Sequence, residues 1–364
     1  MIGKTNALAS ANKNLVTTIR INQNISEPRR MITRIVNDNG IEAIRANSHR
    51  YTGTFANNVM TLKQLDDNDG TKYVDGTKAT LTTLGTDVWM KLPKFYWKCT
   101  AYDTDVWDFS VAYGSKPDDS YKEWNGKDLI GVYPGYRASN KLYSVSGKVS
   151  SASVSHANFK TSASNRGVGY SLVKWEHHCM MAMLFYTQYG RTDSQEVLGF
   201  GAGHMEEKTG TTNTYGMFDT ADVETAYNLF NFWGLEDWFG SKGEFLDNII
   251  IDGPNSCVVI DNESSDRERT ISIPDGYVDG YADKLTFGEN IDLTPISSSA
   301  SSTTGFCDQL NLAPTDEIRA LYRASGLSGY DSGISFLSFI YQVGATADST
   351  VGSRLAYRGD WAEV

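Results

Sequence analysis

Four consecutive residues, Glu176, His177, His178 and Cys179, can each bind a metal ion. Neighbours on a helix point about 100° apart, so the four cannot converge on one ion without ligands from elsewhere. Cys179 falls on the apolar face of its segment, and one histidine is expected to hydrogen-bond in the core. Glu236, Asp237, Glu244 and Asp247 would suit acid–base chemistry if two of them faced each other. Asp66 and Asn68 offer oxygens for calcium, but Gly70 falls one place early for an EF-hand loop. Cys99, Cys179, Cys257 and Cys307 lie far apart without a CxxC pair and read as reduced, buried thiols. GxSxG, HExxH, P-loop and GxGxxG patterns are missing. The expectation is a chain with no metal, no cofactor and no enzymatic activity.

The elements that must position these groups are less regular than their number suggests. The 364 residues are 40% hydrophobic and 21% charged, ample for a large core. No run of eighteen apolar residues exists and the first twenty residues lack an apolar stretch, so neither membrane insertion nor a Sec-type leader is expected. A net charge of −11 argues against nucleic acid as the main partner. Residues 1–50 depart from this, with eight Lys/Arg against three acids, which suggests a separate partner for the N-terminal part.

Alternation around Ile19 and Ile21 predicts a strand, and Asn39-Gly40 between two β-rich runs predicts a hairpin. Residues 1–65 are therefore expected to form a small β-rich docking or oligomerisation element, with turn-rich 65–77 leading into a second domain over 66–364. In "DVWMKLPKFYWKCTAYD" the alternation is broken by Pro93, as in a strand interrupted at a bulge or edge. "GYSLVKWEHHCMMAMLFYTQYG" predicts a helix over 172–188, capped by Ser171 and stopped by Gly190. "TPISSSASSTTG" (294–305) reads as an exposed loop. "GISFLSFIYQVG" and "STVGSRLAYRGDW" read as two C-terminal antiparallel strands. "NFWGLEDWFGSKGEFLDNI" (231–249) mixes tryptophans, phenylalanines and glycines, which suits an irregular segment packed inside a domain.

Four blocks then carry a resemblance. "GLEDWFGSKGEFLDNI" resembles the GxxxxWGNxxEWxD segment of the C-type-lectin-like fold shared by formylglycine-generating enzymes and the variable proteins of diversity-generating retroelements. "DVWMKLPKFYWK" resembles the entry strand of phage-encoded members, "GYSLVKWEHHCMMAMLF" the helix that follows, and "VGSRLAYRGDW" the terminal GFRxxxRG strand. "MITRIVNDNGIEAIRANSHRY" with "LKQLDDND" is similar to the N-terminal part of tail proteins from phages of gut Bacteroidales. The resemblance implies an α+β class: a C-type lectin-like fold with much irregular structure after the small β-rich element. Trp233, Gly234, Trp238, Gly240, Phe245 and Arg354 would be its structural residues.

The resemblance also implies a function. The chain would be a phage or prophage tail receptor-binding protein, a homotrimer assembled in the host cytoplasm and carried on the virion. Its N-terminal region would meet other tail proteins, and its lectin-like domain a protein or glycan on the bacterial host. In the variable proteins the ligand surface lies near the C-terminus, which a retroelement can diversify. Here that surface would hold Tyr322, Tyr330, Asp331, Ser332, Ser335, Ser338, Tyr341 and Thr346, a composition suited to a binding surface. The alternative is a structural virion or bacterial surface display protein of the same fold. The enzymes' closely spaced cysteine pair is missing and Cys307 stands alone, so oxidase activity is not implied. The calcium motifs of sugar-binding lectins are missing too, and the RGGSW strand of the family is degraded to "LYRASGLSG".

Overall fold

Three antiparallel-rich sheets wrap one buried helix in the computed structural model, which describes residues 14–201, 208–218, 229–253, 256–260, 267–272, 278–312, 319–323, 332–338 and 347–364. Helix α3 (Trp175–Tyr189) is buried on nearly all sides, from Trp175 through Thr187 with only Glu176 partly open. A helix apolar all round is stable only when enclosed, as here. Its N-terminus starts three residues later than the Ser171 cap implies. Ser171 lies in strand Tyr170–Leu172, paired with Leu355–Tyr357, and the helix's first N–H donors go elsewhere. Trp175 N donates to Asn248 Oδ1 (2.8 Å) and Lys174 N to His177 Nδ1 (3.2 Å). Gly190 ends the helix in a left-handed conformation (φ 67°), as its position suggests.

A five-stranded sheet runs in the order Ile32–Asn37, Leu15–Asn22, Val106–Tyr113, Phe95–Asp103, Lys122–Trp124. A seven-stranded sheet runs Tyr170–Leu172, Leu355–Arg358, Asp128–Gly131, Thr86–Lys91, His49–Ala56, Val59–Gln64, Trp361–Glu363. The third centres on Gly243–Ile251, flanked by Ser256–Ile260 on one side and Arg319–Arg323 on the other, with Val351–Ser353 added in parallel. Besides α3 the described residues hold three short helices: α1 (Gly40–Ala46), α2 (His156–Ser164) and α4 (Ser194–Leu198).

Several expectations are corrected. The described chain has 26 strands against four helices, so it is predominantly β and not the α+β lectin-like class. The strands of residues 15–64 pair with later ones, Leu15–Asn22 with Val106–Tyr113 and His49–Ala56 with Thr86–Lys91. Asn39-Gly40 does not turn a hairpin. Asn39 (φ 61°) precedes α1, whose Ile41 and Ile44 reach the core. Gly40 sits so tightly on the first strand that a Cβ would lie 2.6 Å from the Thr17 nitrogen. At Pro93 the chain leaves the seven-stranded sheet and enters the five-stranded one. Of the expected strand at 334–341 only Leu337–Ser338 is described as a strand. The other C-terminal strand is two, Val351–Ser353 and Leu355–Arg358, in different sheets. Within 294–305, Pro295–Ser297 pairs with Lys284–Leu285.

Arg354 stands at the change of sheet, fully buried. Its Nε donates to Glu244 Oε1 (3.0 Å), Nη1 to the carbonyls of Gly131 (3.1 Å) and Val132 (2.5 Å), and Nη2 to those of Glu236 (2.9 Å) and Asp237 (3.2 Å). Arg323 donates to the same Glu244 carboxylate and to Trp238 O (2.5 Å), and its guanidinium lies 3.4 Å from the Trp238 ring centroid. The surrounding aromatic segment is buried as its composition suggests, with Trp233, Trp238 and Phe245 inaccessible to solvent. Gly240 (φ 80°) meets Phe200 there so closely that a Cβ would lie 1.9 Å from its carbonyl oxygen.

Truncating one member of a buried ion pair leaves its partner uncompensated and costs about 3–5 kcal/mol. Arg354→Ala is expected to lose at least this much in urea unfolding. Trp361→Ala, at a partly exposed ring, should lose less than about 1 kcal/mol. Equal losses would show that the cluster does not brace the fold.

Candidate functional site

The acids that could have formed a catalytic pair are each committed to structure. Glu236 accepts from Gly210 N (2.7 Å), Thr212 N (3.0 Å) and Thr212 Oγ1 (2.7 Å). Asp237 Oδ1 accepts from Phe230 N (3.3 Å), and Asp247 Oδ2 from Leu172 N (2.8 Å). Asp66 Oδ1 caps its own turn, accepting from Asn68 N and Asp69 N. His178 stacks on Trp175 with ring centroids 5.2 Å apart, and burial pulls its pKa down to about 3. Burial pushes the Cys99 and Cys257 thiols up to about 12. Among the described residues no three His, Cys, Asp or Glu side chains are grouped to hold a metal ion.

The C-terminal residues expected to meet a ligand divide into two sets. Tyr330, Asp331, Tyr341 and Thr346 lie outside the described residues. Tyr322, Ser332, Ser335 and Ser338 are buried, so a ligand does not reach these four side chains in this conformation. Ser335 N donates to Asp308 Oδ2 (2.7 Å), and Gln195 Nε2 to Asp308 Oδ1 (2.9 Å). Burial pushes Asp308 up to about 7 in spite of these hydrogen bonds. The buried acid thus holds the backbone at Ser335.

Two depressions open elsewhere, on either side of the turn at 125–127, and Asn125 lines both. The larger, an open cleft of about 520 Å³, is lined by Asn47, Tyr51, Gln64, Lys91, Lys127 and Trp361. Tyr51 and Gln64 are register partners in the seven-stranded sheet. Trp361 Nε1 donates to Lys127 O (3.2 Å), and Lys91 Nζ lies 4.3 Å from the Trp361 ring centroid. Lys91 also pairs with Glu363. Tyr51, Gln64, Lys91 and Trp361 all stand on strands of the seven-stranded sheet, and Asn47 caps the end of the helix Gly40–Ala46.

The smaller depression, about 170 Å³, lies where the five- and seven-stranded sheets meet the first turn of α3. Trp97 and Trp124 come from one sheet, Asp128 and Arg358 from the other, and Glu176 from the helix. Asp128 and Arg358 are register partners, joined by Nε to Oδ1 (2.5 Å) and Nη2 to Oδ2 (2.8 Å). Burial opposes the Asp128 charge, but His177, 3.8 Å away, and Arg358 outweigh it and hold the carboxyl well below its usual range. Glu176 Oε2 accepts from Asn248 Nδ2 (2.9 Å), and Lys122 Nζ donates to Asn290 Oδ1 (2.7 Å) at the rim. This region was missed in the sequence, where its one local signal is the Asn125-Gly126 turn dipeptide between Trp124 and Asp128.

No family model matches the chain, and no curated protein matches it.

Two carboxyls of opposite sign test this geometry. The Asp128 pKa is lower in the folded than in the unfolded chain, so its ion pairs stabilise above about pH 4 and are lost as pH falls below that. Asp128→Asn should therefore lower Tm at neutral pH and converge on the parent protein in acid. Asp308 is raised, so it costs stability as pH rises from about 4 to about 7. Asp308→Asn should flatten that part of the Tm–pH profile. Parallel profiles for the parent and both variants would contradict both assignments.

Proposed function

We propose that this chain is a receptor-binding protein of a phage or prophage tail, recognising a molecule on the bacterial surface. The observation that carries the reading is the open cleft. The half-buried ring of Trp361 lines it with the amides of Asn47 and Gln64 and the cations of Lys91 and Lys127, while the Tyr51 ring there is buried. Rings give rigid contact area at little cost in conformational entropy, and amides supply directional hydrogen bonds. The committed core acids and protonated thiols favour a binding surface over a catalytic one. The similarity of "MITRIVNDNGIEAIRANSHRY" with "LKQLDDND" to the N-terminal part of phage tail proteins supplies the tail context.

In this reading the N-terminal region meets other tail proteins. It contributes the outermost strand of the five-stranded sheet, Ile32–Asn37, with Ile35 and Val36 exposed. Sheet edges of this kind accept a further strand or a covering partner. The chain acts as a homotrimer on the virion, and linkage of three sites multiplies a weak affinity per site. Tyr330, Asp331, Tyr341 and Thr346 belong to the C-terminal segment that a retroelement can diversify.

Fluorescently labelled protein should adsorb to cells of at least one gut Bacteroidales strain. Trp361→Ala should weaken adsorption by about tenfold or more, since loss of an aromatic anchor commonly costs about 2 kcal/mol of binding. Light scattering of the full chain should give three times the monomer mass. Absence of adsorption across a broad strain panel would overturn the reading, and a monomer at micromolar concentration would remove the trimer.

A further inference from the structure

We infer that the ligand is a glycan, and that the pocket between Trp97, Trp124 and Asp128 holds one of its sugar rings. The inference rests on the receptor-binding reading and narrows it to a chemical class. A pyranose has faces of C–H groups and a rim of hydroxyls that both donate and accept. It therefore needs an aromatic face and a ring of planar polar groups. The pocket provides both: the half-buried Trp97 indole, and the Glu176 carboxylate, Arg358 guanidinium and Asn125 amide, with Trp124 and Asp128 buried behind them.

Size and charge narrow the choice. A depression of about 170 Å³ suits one six-membered ring and not a folded peptide. Three lining acids, Glu123, Asp128 and Glu176, against Arg358 disfavour an anionic ligand. Acids beside tryptophans could also cage a cation, but cations of the chain already take those places. Arg358 holds both oxygens of Asp128, Lys94 pairs with Glu123 (2.8 Å), and Lys122 Nζ lies 5.5 Å from the Trp97 ring centroid. What remains is recognition of a neutral polyol by hydrogen bonds and ring contact.

Continuity across Asn125 extends the site. A chain of sugars leaving the pocket over the 125–127 turn enters the open cleft, where the half-buried Trp361 offers a further face. A glycan longer than one residue is thus favoured over a monosaccharide, because each depression alone gives little area. Asn290 marks the opposite rim and is held in place by Lys122.

The test applies the full chain to an array of purified bacterial surface polysaccharides, and to cells treated with periodate, which cleaves vicinal diols, or with protease. Binding to at least one polysaccharide is expected, weakened about tenfold or more by Trp97→Ala and by Asn290→Ala. Circular dichroism and Tm check that each variant is folded. Trp97 also packs against the core, so Asn290→Ala decides the matter if Trp97→Ala does not fold. Cell labelling should be lost after periodate and kept after protease. Labelling lost to protease and kept after periodate overturns the glycan while leaving receptor binding intact. Polysaccharide binding unchanged in folded variants overturns the pocket. Array binding with the expected variant losses but no labelling of any cell upholds the glycan site and removes the receptor reading, and absence of binding in both formats overturns both.

Discussion

One carboxylate, that of Glu244, is shared by two buried guanidiniums, and three parts of the molecule meet on it. The cluster carries one net positive charge in a site without water contact, an arrangement that desolvation would make costly. It is offset by carbonyl oxygens of Gly131, Val132, Glu236, Asp237 and Trp238, and by the face of the Trp238 ring. Those carbonyls converge because the backbone around them is bent: Trp233 (φ 54°) and Asp237 (φ 43°) are left-handed without being glycine. Such conformations cost about 1–3 kcal/mol each. The strain and the charge explain each other, since neither would persist without the other.

The surface inherits its geometry from this interior. Val351–Ser353 lies on the sheet of Glu244, and five residues after Ser353, Arg358 meets Asp128 on another sheet. Arg354 thus sets the phase of the strand that carries Arg358 into the smaller depression. Helix α3 contributes Glu176 from its first turn, whose start is fixed by Asn248 on the same strand as Glu244. Both sides of the pocket are in this way referred to one strand, Gly243–Ile251. The ring of Trp124, stacked on Phe95 at 6.0 Å, completes the wall from the remaining sheet.

Much of this was legible in the sequence where a residue type has one dominant use. The α3 segment, the Gly190 stop and the burial of Trp233, Trp238 and Phe245 all follow from such residues. The sheet content was not. Gly243–Ile251 and Asp128–Gly131 are buried on both faces, so they show no alternation to read. Asn39-Gly40 misled because left-handed geometry serves a helix entry as readily as a hairpin. Pro93 misled because it marks a change of sheet and not a bulge within one strand. The two depressions draw on residues from 47 to 361, and no local pattern connects them.

The strand Trp361–Glu363 lies parallel to Val59–Gln64, with Trp361 opposite Met60, 301 residues earlier. At about 5–20 residues per second, a ribosome needs roughly 15–60 s to deliver the second after the first. During that interval the outer edge of Val59–Gln64 has no native partner, and Asp128–Gly131 likewise waits for Leu355–Arg358. Sheet edges left open for this long invite pairing between nascent chains. For a chain of this topology, the spacing of ribosomes on its message therefore bears on yield as directly as the stability of the finished fold.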